Sequence, residues 1–281
     1  MRKLGISFGS FGYDVDLREQ AQAIKNAGFD TVFVSARRKD LADACREIAA
    51  AGLELESMHA TFQGVSSVWG DGGDVWIDKL CRELDLCREY GASYLTAHCM
   101  NLPQFNPVSE VKNAFTEAGA ARFVEVVSYA EKIGVKIAFE NVEFPGNELY
   151  SLIRWLRERD LLSSVGVTWD VGHWHCYPDG IEFLPAFGDL LVGTHVHDNF
   201  GCITPGMITW NDDCHILPFD GTVDFRAVGQ TLDACGYTGS ITLELGRSRA
   251  IPWYAEYPDI DAYLAEACTR ARHAAAFCAD V

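Results

Sequence analysis

The chain has 281 residues, of which 48% are hydrophobic and 22% are charged, as in an ordinary globular protein with a large core. Its 40 acidic and 23 basic residues give a formal net charge of −17, which opposes nucleic-acid binding because such binding needs Lys and Arg to neutralise phosphate. No apolar run reaches the roughly 18 residues of a membrane span, and the N-terminus lacks the apolar stretch of a signal peptide. We therefore expect a cytoplasmic protein whose ten cysteines, none of them spaced as CxxC, are free thiols.

Eight short apolar runs predict β-strands along the chain. Several of them are continuous rather than alternating, which is typical of parallel strands that are covered on both faces. The predicted strands are Leu4–Phe8, Thr31–Val34, Leu53–His59, Tyr94–His98, Val135–Glu140, Val165–Asp170, Leu190–His197 and Ser240–Leu245.

Amphipathic stretches between most of these runs predict helices, and several end beside a glycine, the usual helix C-cap. The predicted helices are Asp16–Ala27, Asp40–Ala51, Lys79–Tyr90, Ala120–Ile133, Asp224–Ala234 and a closing helix at Ile260–Cys278. Strand and helix repeated about eight times predict an α/β fold, a (β/α)₈ TIM barrel. Because no Pro- or Ser-rich linker divides the chain, residues 1–281 are expected to form a single domain.

Seven of the eight histidines and four carboxylates stand at the ends of the predicted strands or in the loops just after them. Burying a charged side chain at the end of a strand costs free energy unless a ligand or partner binds it there. A TIM barrel has its active site at these strand ends. Imidazole mixed with carboxylate suits Mn²⁺, Zn²⁺, Co²⁺ or Fe²⁺. The residues are His59, His98, Glu140, Asp170, His173, His175, His195, His197, Asp213, His215 and Glu244.

So many groups exceed the needs of one ion, which leaves either two or three ions or one ion beside a polar substrate pocket. Each residue also has a structural interpretation, because a lone His at a strand end is more often hydrogen-bonded than metal-bound. Asp170 could cap a turn, and we expect His175 to pack locally and His273 to lie on the surface. Trp69 and Trp210 are core residues by default, but both fall in loops on the same face and are also candidates for stacking on a substrate.

Four motifs resemble the xylose isomerase-like TIM-barrel superfamily, which groups sugar isomerases and epimerases with endonuclease IV. They are FEN at 139–141, WDVGH at 169–173, THVHDN at 194–199 and DCHILPFDG at 213–221, joined by Glu244 on the last strand. The resemblance runs over nearly the whole chain. It implies one divalent ion held by Glu140, Asp170, His195 and Glu244, and His195 is preferred to His197 because the family's ligand His lies three residues before an acidic residue, here Asp198. Dimers or tetramers are common in such families.

The resemblance to endonuclease IV implies up to three zinc ions, because the chain has a counterpart for every ligand of that enzyme. The acidic charge and the lack of Arg- or Lys-rich loops depart from a nuclease. The counterparts are His59, His98, Glu140, Asp170, His173, His195, Asp213, His215 and Glu244.

Three functions follow as hypotheses. The first is a metal-dependent isomerase or epimerase of a keto sugar or related polyol derivative, in which Glu140 and Glu244 remove and return a proton through an enediolate. Its metal would be Mn²⁺ or Zn²⁺ ahead of Co²⁺, Mg²⁺ or Fe²⁺. His173 and His215 would bind hydroxyl groups of the substrate, and Arg247 would bind a substrate oxygen. Dehydration by the same chemistry stays open.

The second hypothesis is a multinuclear phosphoesterase of the endonuclease IV type. The third is a non-catalytic metal- or sugar-binding barrel. Substrate specificity is expected in the loops Phe62–Asp74 and Asn101–Glu110.

Overall fold

The computed structural model describes residues 2–70, 72–101, 113–142, 147–176, 183–207, 212–246 and 257–278. Its sheet has eight strands, each hydrogen-bonded in parallel to the next in sequence from β1 to β7, and β1 also pairs with β8. A parallel bridge between Val196 and Leu243 joins the end of β7 to β8 and closes the barrel. The strands are β1 Leu4–Ser7, β2 Thr31–Ser35, β3 Glu54–His59, β4 Tyr94–Ala97, β5 Lys136–Glu140, β6 Val165–Asp170, β7 Leu191–His195 and β8 Ile241–Leu243.

The helices surround this barrel, and the prediction of a (β/α)₈ TIM barrel is confirmed. The helix from Lys79 to Tyr90 was predicted too short, because it begins at Asp74. The helices are α1 Leu17–Ala27, α2 Leu41–Ala50, α3 Asp74–Tyr90, α4 Glu117–Ile133, α5 Asn147–Arg157, α6 Val171–Cys176, α7 Phe183–Phe187, α8 Phe225–Ala234 and α9 Ile260–Ala275, with 3₁₀ turns at Val65–Trp69 and Gly188–Leu190.

Local sequence signals fix several helix ends. Asp16 caps α1 by accepting the Glu19 amide at 2.8 Å, and the Glu19 side chain accepts the Asp16 amide in return. Gly28 ends the same helix with φ of 101°, a left-handed conformation that glycine adopts without strain. These caps explain why the predicted and observed bounds of α1 agree so closely.

The carboxyl ends of the strands hold the candidate site residues. His59, Glu140, Asp170 and His195 are the last residues of β3, β5, β6 and β7. Within the described ranges, no helix is long and apolar enough to cross a membrane.

Candidate metal centre

The ends of strands β5 to β8 bring four possible ligands together in one cluster, which we call the core cluster. It consists of Glu140, Asp170, His195 and Glu244, whose nearest donor atoms all lie within 4.8 Å of one another. His195 Nδ1 lies 2.5 Å from Glu140 Oε1 and 2.9 Å from Glu244 Oε2. Glu140 is fully buried, whereas the Glu244 side chain is 21% exposed. Of the two glutamates, Glu244 is therefore the one that solvent or a small molecule can reach.

The second oxygen of Glu140 faces two further histidines. His59 Nε2 and His98 Nε2 lie 3.2 Å and 3.0 Å from Glu140 Oε2. Glu140 thus stands between His195 on one side and the pair of His59 and His98 on the other. A carboxylate in this position can bridge two cations or hold one cation and accept two N–H groups.

A second cluster lies beyond the ends of β6 and β7, and we call it the outer cluster. It consists of His173, His197, Asp213 and His215, whose donor atoms also lie within 4.8 Å of one another. Asp213 Oδ2 lies 3.2 Å from His173 Nε2 and 3.0 Å from His215 Nε2, and Asp213 Oδ1 lies 3.5 Å from His197 Nε2. The two histidines of β7 and its extension therefore belong to different clusters.

Asp170 connects the two clusters. Its Oδ1 accepts the His173 amide at 2.6 Å and lies 3.2 Å from His197 Nε2. Its buried Oδ2 has no hydrogen-bond partner among the described residues. The capping role considered for Asp170 is thus real, and one oxygen remains for a ligand.

The hydrogen bonds of the imidazole rings fit a metal centre. Four rings direct Nδ1 at an amide or carbonyl oxygen and Nε2 at a carboxylate. Because a neutral imidazole has a single N–H, both contacts are favourable only if the ring is protonated or a cation lies between Nε2 and the carboxylate. The four Nδ1 contacts are His59 to Ala60 O at 2.9 Å, His98 to Asn101 Oδ1 at 3.2 Å, His173 to Asn141 O at 3.0 Å and His215 to Glu244 O at 2.9 Å.

The charges of the two clusters also fit bound metal ions. Burial opposes ionisation of Glu140, but His195 and the hydrogen bonds from His59 and His98 hold the pKa of this carboxyl well below its usual range. Burial opposes the charged form of His215 as well, yet Asp213 raises the pKa of its imidazole to about 10. Without a cation, carboxylate charge would have to be neutralised by several imidazolium ions packed side by side. A divalent cation in each cluster removes that repulsion, so the donor set fits metal ions.

Asp198 fixes the chain segment that follows the outer cluster. Its carboxylate is fully buried, and each oxygen accepts two backbone N–H groups. The segment from 217 to 223, which follows His215, is held against the end of β7 in this way. The four bonds come from Asn199 at 2.8 Å, Phe219 at 2.9 Å, Gly221 at 2.9 Å and Val223 at 3.0 Å.

The structure corrects the assignment of Trp69 as a substrate-binding residue. Trp69 is only 6% exposed, packs against Phe115 and Phe123, and donates its indole N–H to Cys99 O at 2.8 Å. It is therefore a core residue rather than a platform for a substrate. Trp210 and Arg247 lie outside the described residues, as does most of the loop Asn101–Glu110.

The two histidines set aside from the site lie outside both clusters. His175 Nε2 contacts Thr222 Oγ1 at 2.9 Å, and His273 is exposed on α9, where it stacks on Phe219.

The sequence analysis gave no individual role to three residues that shape the site. Asn141 accepts the Asp170 amide at 2.7 Å and donates to Asp170 O at 2.8 Å, which ties the ends of β5 and β6 together. Phe33 stacks on His195 and Phe62 stacks on His98, with ring centroids 4.5 Å and 4.9 Å apart. The position of Asn141 directly after Glu140 was a usable signal, whereas nothing in an apolar run distinguishes Phe33 from core.

Comparison with known proteins agrees with this architecture. A protein from Sinorhizobium fredii, the uncharacterized protein y4fM, is 29% identical over 271 residues, covering 85% of this chain and 84% of that protein. The solved structure of the IolI protein with a bound zinc atom has a TM-score of 0.75 at 20% identity and covers 99% of this chain and 100% of the other. D-psicose 3-epimerase with D-tagatose from Clostridium cellulolyticum H10 has a TM-score of 0.70 at 15% identity, covering 97% and 99%.

At these identities the two solved structures share the fold. The family model described as "Xylose isomerase-like TIM barrel" matches residues 12–270, which is most of the chain. The chain therefore belongs to the xylose isomerase-like TIM-barrel family.

Proposed function

We propose that this protein is a divalent-metal-dependent isomerase or epimerase of a keto sugar, with the core cluster as its catalytic site. The observation that carries the proposal is the position of His195 Nδ1, which lies 2.5 Å from a buried glutamate and 2.9 Å from a partly exposed one. Together with Asp170 these groups supply two carboxylates for proton transfer and a four-residue donor set for one ion. The IolI structure with zinc and the epimerase with D-tagatose support this choice of chemistry and substrate class.

Glu244 is the better placed of the two glutamates to move a substrate proton. Its side chain is 21% exposed, and its Oε2 contact with His195 leaves the other oxygen for this task. Glu140 is fully buried, and its Oε2 faces His59 and His98, whose imidazoles can take up or return a proton. A divalent ion held by the core cluster, Zn²⁺ or Mn²⁺ foremost, supplies positive charge beside the oxygen that becomes negative when the proton leaves.

The experiment that tests the proposal is solvent deuterium exchange into a panel of ketohexoses and ketopentoses. We expect the metal-loaded protein to incorporate deuterium at a carbon next to the carbonyl of at least one sugar. We expect Glu244→Gln to lose that exchange while keeping its fold by circular dichroism. Wild-type exchange in both Glu244→Gln and Glu140→Gln would overturn the assignment of the site.

A multinuclear phosphoesterase is the second candidate, and the number of donors around Glu140 is the observation that favours it. His59 and His98 on one side and the outer cluster on the other provide donors for ions besides that of the core cluster. Hydrolysis of a phosphoester would use such ions to activate water and stabilise the leaving oxygen. The charge of −17 opposes DNA as the substrate. Cleavage of an abasic-site duplex, with no deuterium exchange into any sugar, would favour this candidate.

A further inference from the structure

We propose that His197 is the fourth ligand of a closed metal site in the outer cluster, and that this site has a structural rather than a hydrolytic role. The resemblance to endonuclease IV placed His173, Asp213 and His215 among the counterparts of that enzyme's zinc ligands and left His197 as the alternative to His195. In the structure His197 belongs with the outer cluster instead. The inference goes beyond the proposed reaction, which uses the core cluster.

The separations in the outer cluster match a four-coordinate site. Zinc bonds of about 2.0–2.1 Å to nitrogen and oxygen give a ligand-to-ligand edge of about 3.3–3.4 Å in a tetrahedron. His173 Nε2 and His215 Nε2 lie 3.2 and 3.0 Å from Asp213 Oδ2, close to such an edge, and His197 Nε2 lies 3.5 Å from Asp213 Oδ1. Three nitrogens and one carboxylate complete a structural zinc site, whereas a catalytic zinc keeps three protein ligands and an open position.

The His197 side chain is itself poised for a ligand. It is fully buried, and its Nε2 lies 3.2 Å from Asp170 Oδ1 and 3.5 Å from Asp213 Oδ1 without forming a hydrogen bond among the described residues. A buried imidazole nitrogen that makes no hydrogen bond is costly unless a cation satisfies it. The neighbouring ring of His215 stacks on His197 with centroids 3.8 Å apart, which packs the two imidazoles side by side within the cluster.

The absence of a side chain at Gly172 leaves space for the His197 ring. A Cβ atom built at Gly172 would lie 1.9 Å from His197 Cε1, so any side chain at this position of α6 would have to displace the imidazole. The adjacent residue, His173, belongs to the same cluster. The start of α6 is therefore shaped around His197 as well as carrying one of its partner ligands.

A closed outer site would join three parts of the chain. His173 lies on α6, His197 lies just beyond β7, and Asp213 and His215 precede the segment that Asp198 holds. An ion bound to all four ties these parts together at the rim of the barrel and presents no open position to a phosphoester. This favours a structural role of the outer cluster over a hydrolytic one.

The test uses the full-length protein reconstituted with Co²⁺, whose visible absorption is intense when it is four-coordinate and weak when it is six-coordinate. The variants are His197→Ala, which removes the ligand, and Gly172→Ala, which displaces the ring but keeps every ligand. His175→Ala is the matched control, since it removes an imidazole from α6 outside the cluster. Bound Co²⁺ is counted by elemental analysis after dialysis.

We expect the wild type and His175→Ala to show the four-coordinate band, and both His197→Ala and Gly172→Ala to bind one ion fewer and to lose that ion's share of the band, with affinity for that ion reduced at least 100-fold. An unchanged ion count and band in His197→Ala would overturn the inference. If His197→Ala fails to fold, the wild-type spectrum and Gly172→Ala decide, and a wild type without a four-coordinate band would overturn the inference. Deuterium exchange by the wild type tests the proposed reaction separately, because its failure would leave the ion count and the band unaffected.

Discussion

Glu140 lies between histidines on both of its oxygens: its Oε1 is 2.5 Å from His195 Nδ1, while its Oε2 is 3.0 Å from His98 Nε2. A fully buried carboxylate in this position cannot turn to follow a substrate, because each oxygen already has a partner. Glu244, which contacts the same His195 nitrogen from the more open side, retains that freedom. The two glutamates are therefore unequal, and their substitutions should have different consequences.

Glu244→Gln should reduce deuterium exchange into the responsive sugar by roughly 10²–10⁴-fold, the usual contribution of a general acid or base. The substitution keeps the size of the side chain and removes its ability to take a proton. Glu131→Gln, an exposed position on α4, serves as the control and should exchange at the wild-type rate. Equal rates in Glu244→Gln and Glu131→Gln would show that Glu244 moves no proton.

Asp198→Asn should lower the free energy of unfolding by about 2–4 kcal/mol, because an amide NH₂ would replace an oxygen that accepts two backbone N–H groups. Urea denaturation of both proteins measures the difference. The matched control is Asp43→Asn, whose carboxylate forms an exposed ion pair with Arg46, and it should cost under about 0.5 kcal/mol. A loss no larger than that of the control would mean that the segment from 217 to 223 does not depend on Asp198.

Glu83 should make stability depend on pH. This residue of α3 is buried and accepts the Thr61 amide at 3.1 Å and the Thr61 hydroxyl at 2.6 Å, and burial raises the pKa of its carboxyl above 4.5. A carboxyl with a raised folded pKa stabilises the fold below its unfolded pKa, and that stabilisation is lost as pH rises through the folded value.

Glu83→Gln removes this titration while keeping groups that can bond to Thr61. The free energy of unfolding of the wild type, relative to that of the Gln variant, should therefore be larger at pH 5 than at pH 8. The difference should stay below about 1.4 kcal/mol for each unit by which the pKa is raised, because pH 5 already lies above the ordinary value of 4.5. Urea denaturation at the two pH values measures it, and a relative stability that is constant or rises with pH would contradict the account.

The barrel and the grouping of candidate ligands at its strand ends were predictable because the signals are local. Continuous apolar runs such as Val165–Asp170 identify buried parallel strands, and a charged residue at the end of such a run stands where the barrel has its site. The division of the ligands into two clusters was not predictable in the same way. His195 and His197 are two residues apart, which predicts a shared side but not which partners each one meets.

The partners of these two histidines depend on the closure between Val196 and Leu243 and on the segment held by Asp198, both of which are long-range contacts. Trp69 was misassigned for a related reason. The loop interpretation did not anticipate the 3₁₀ turn at Val65–Trp69, which turns the indole into the core and lets its N–H bond to Cys99.

The most direct test of the central claim compares the chelated and metal-loaded wild type in D₂O with the panel of keto sugars, and with an abasic-site duplex in parallel. We predict deuterium incorporation next to the carbonyl of at least one sugar by the metal-loaded protein. The exchange should be lost on chelation and recovered when Zn²⁺ or Mn²⁺ is added back. Metal-loaded protein that exchanges deuterium into none of the sugars, yet cleaves the duplex, would contradict the claim.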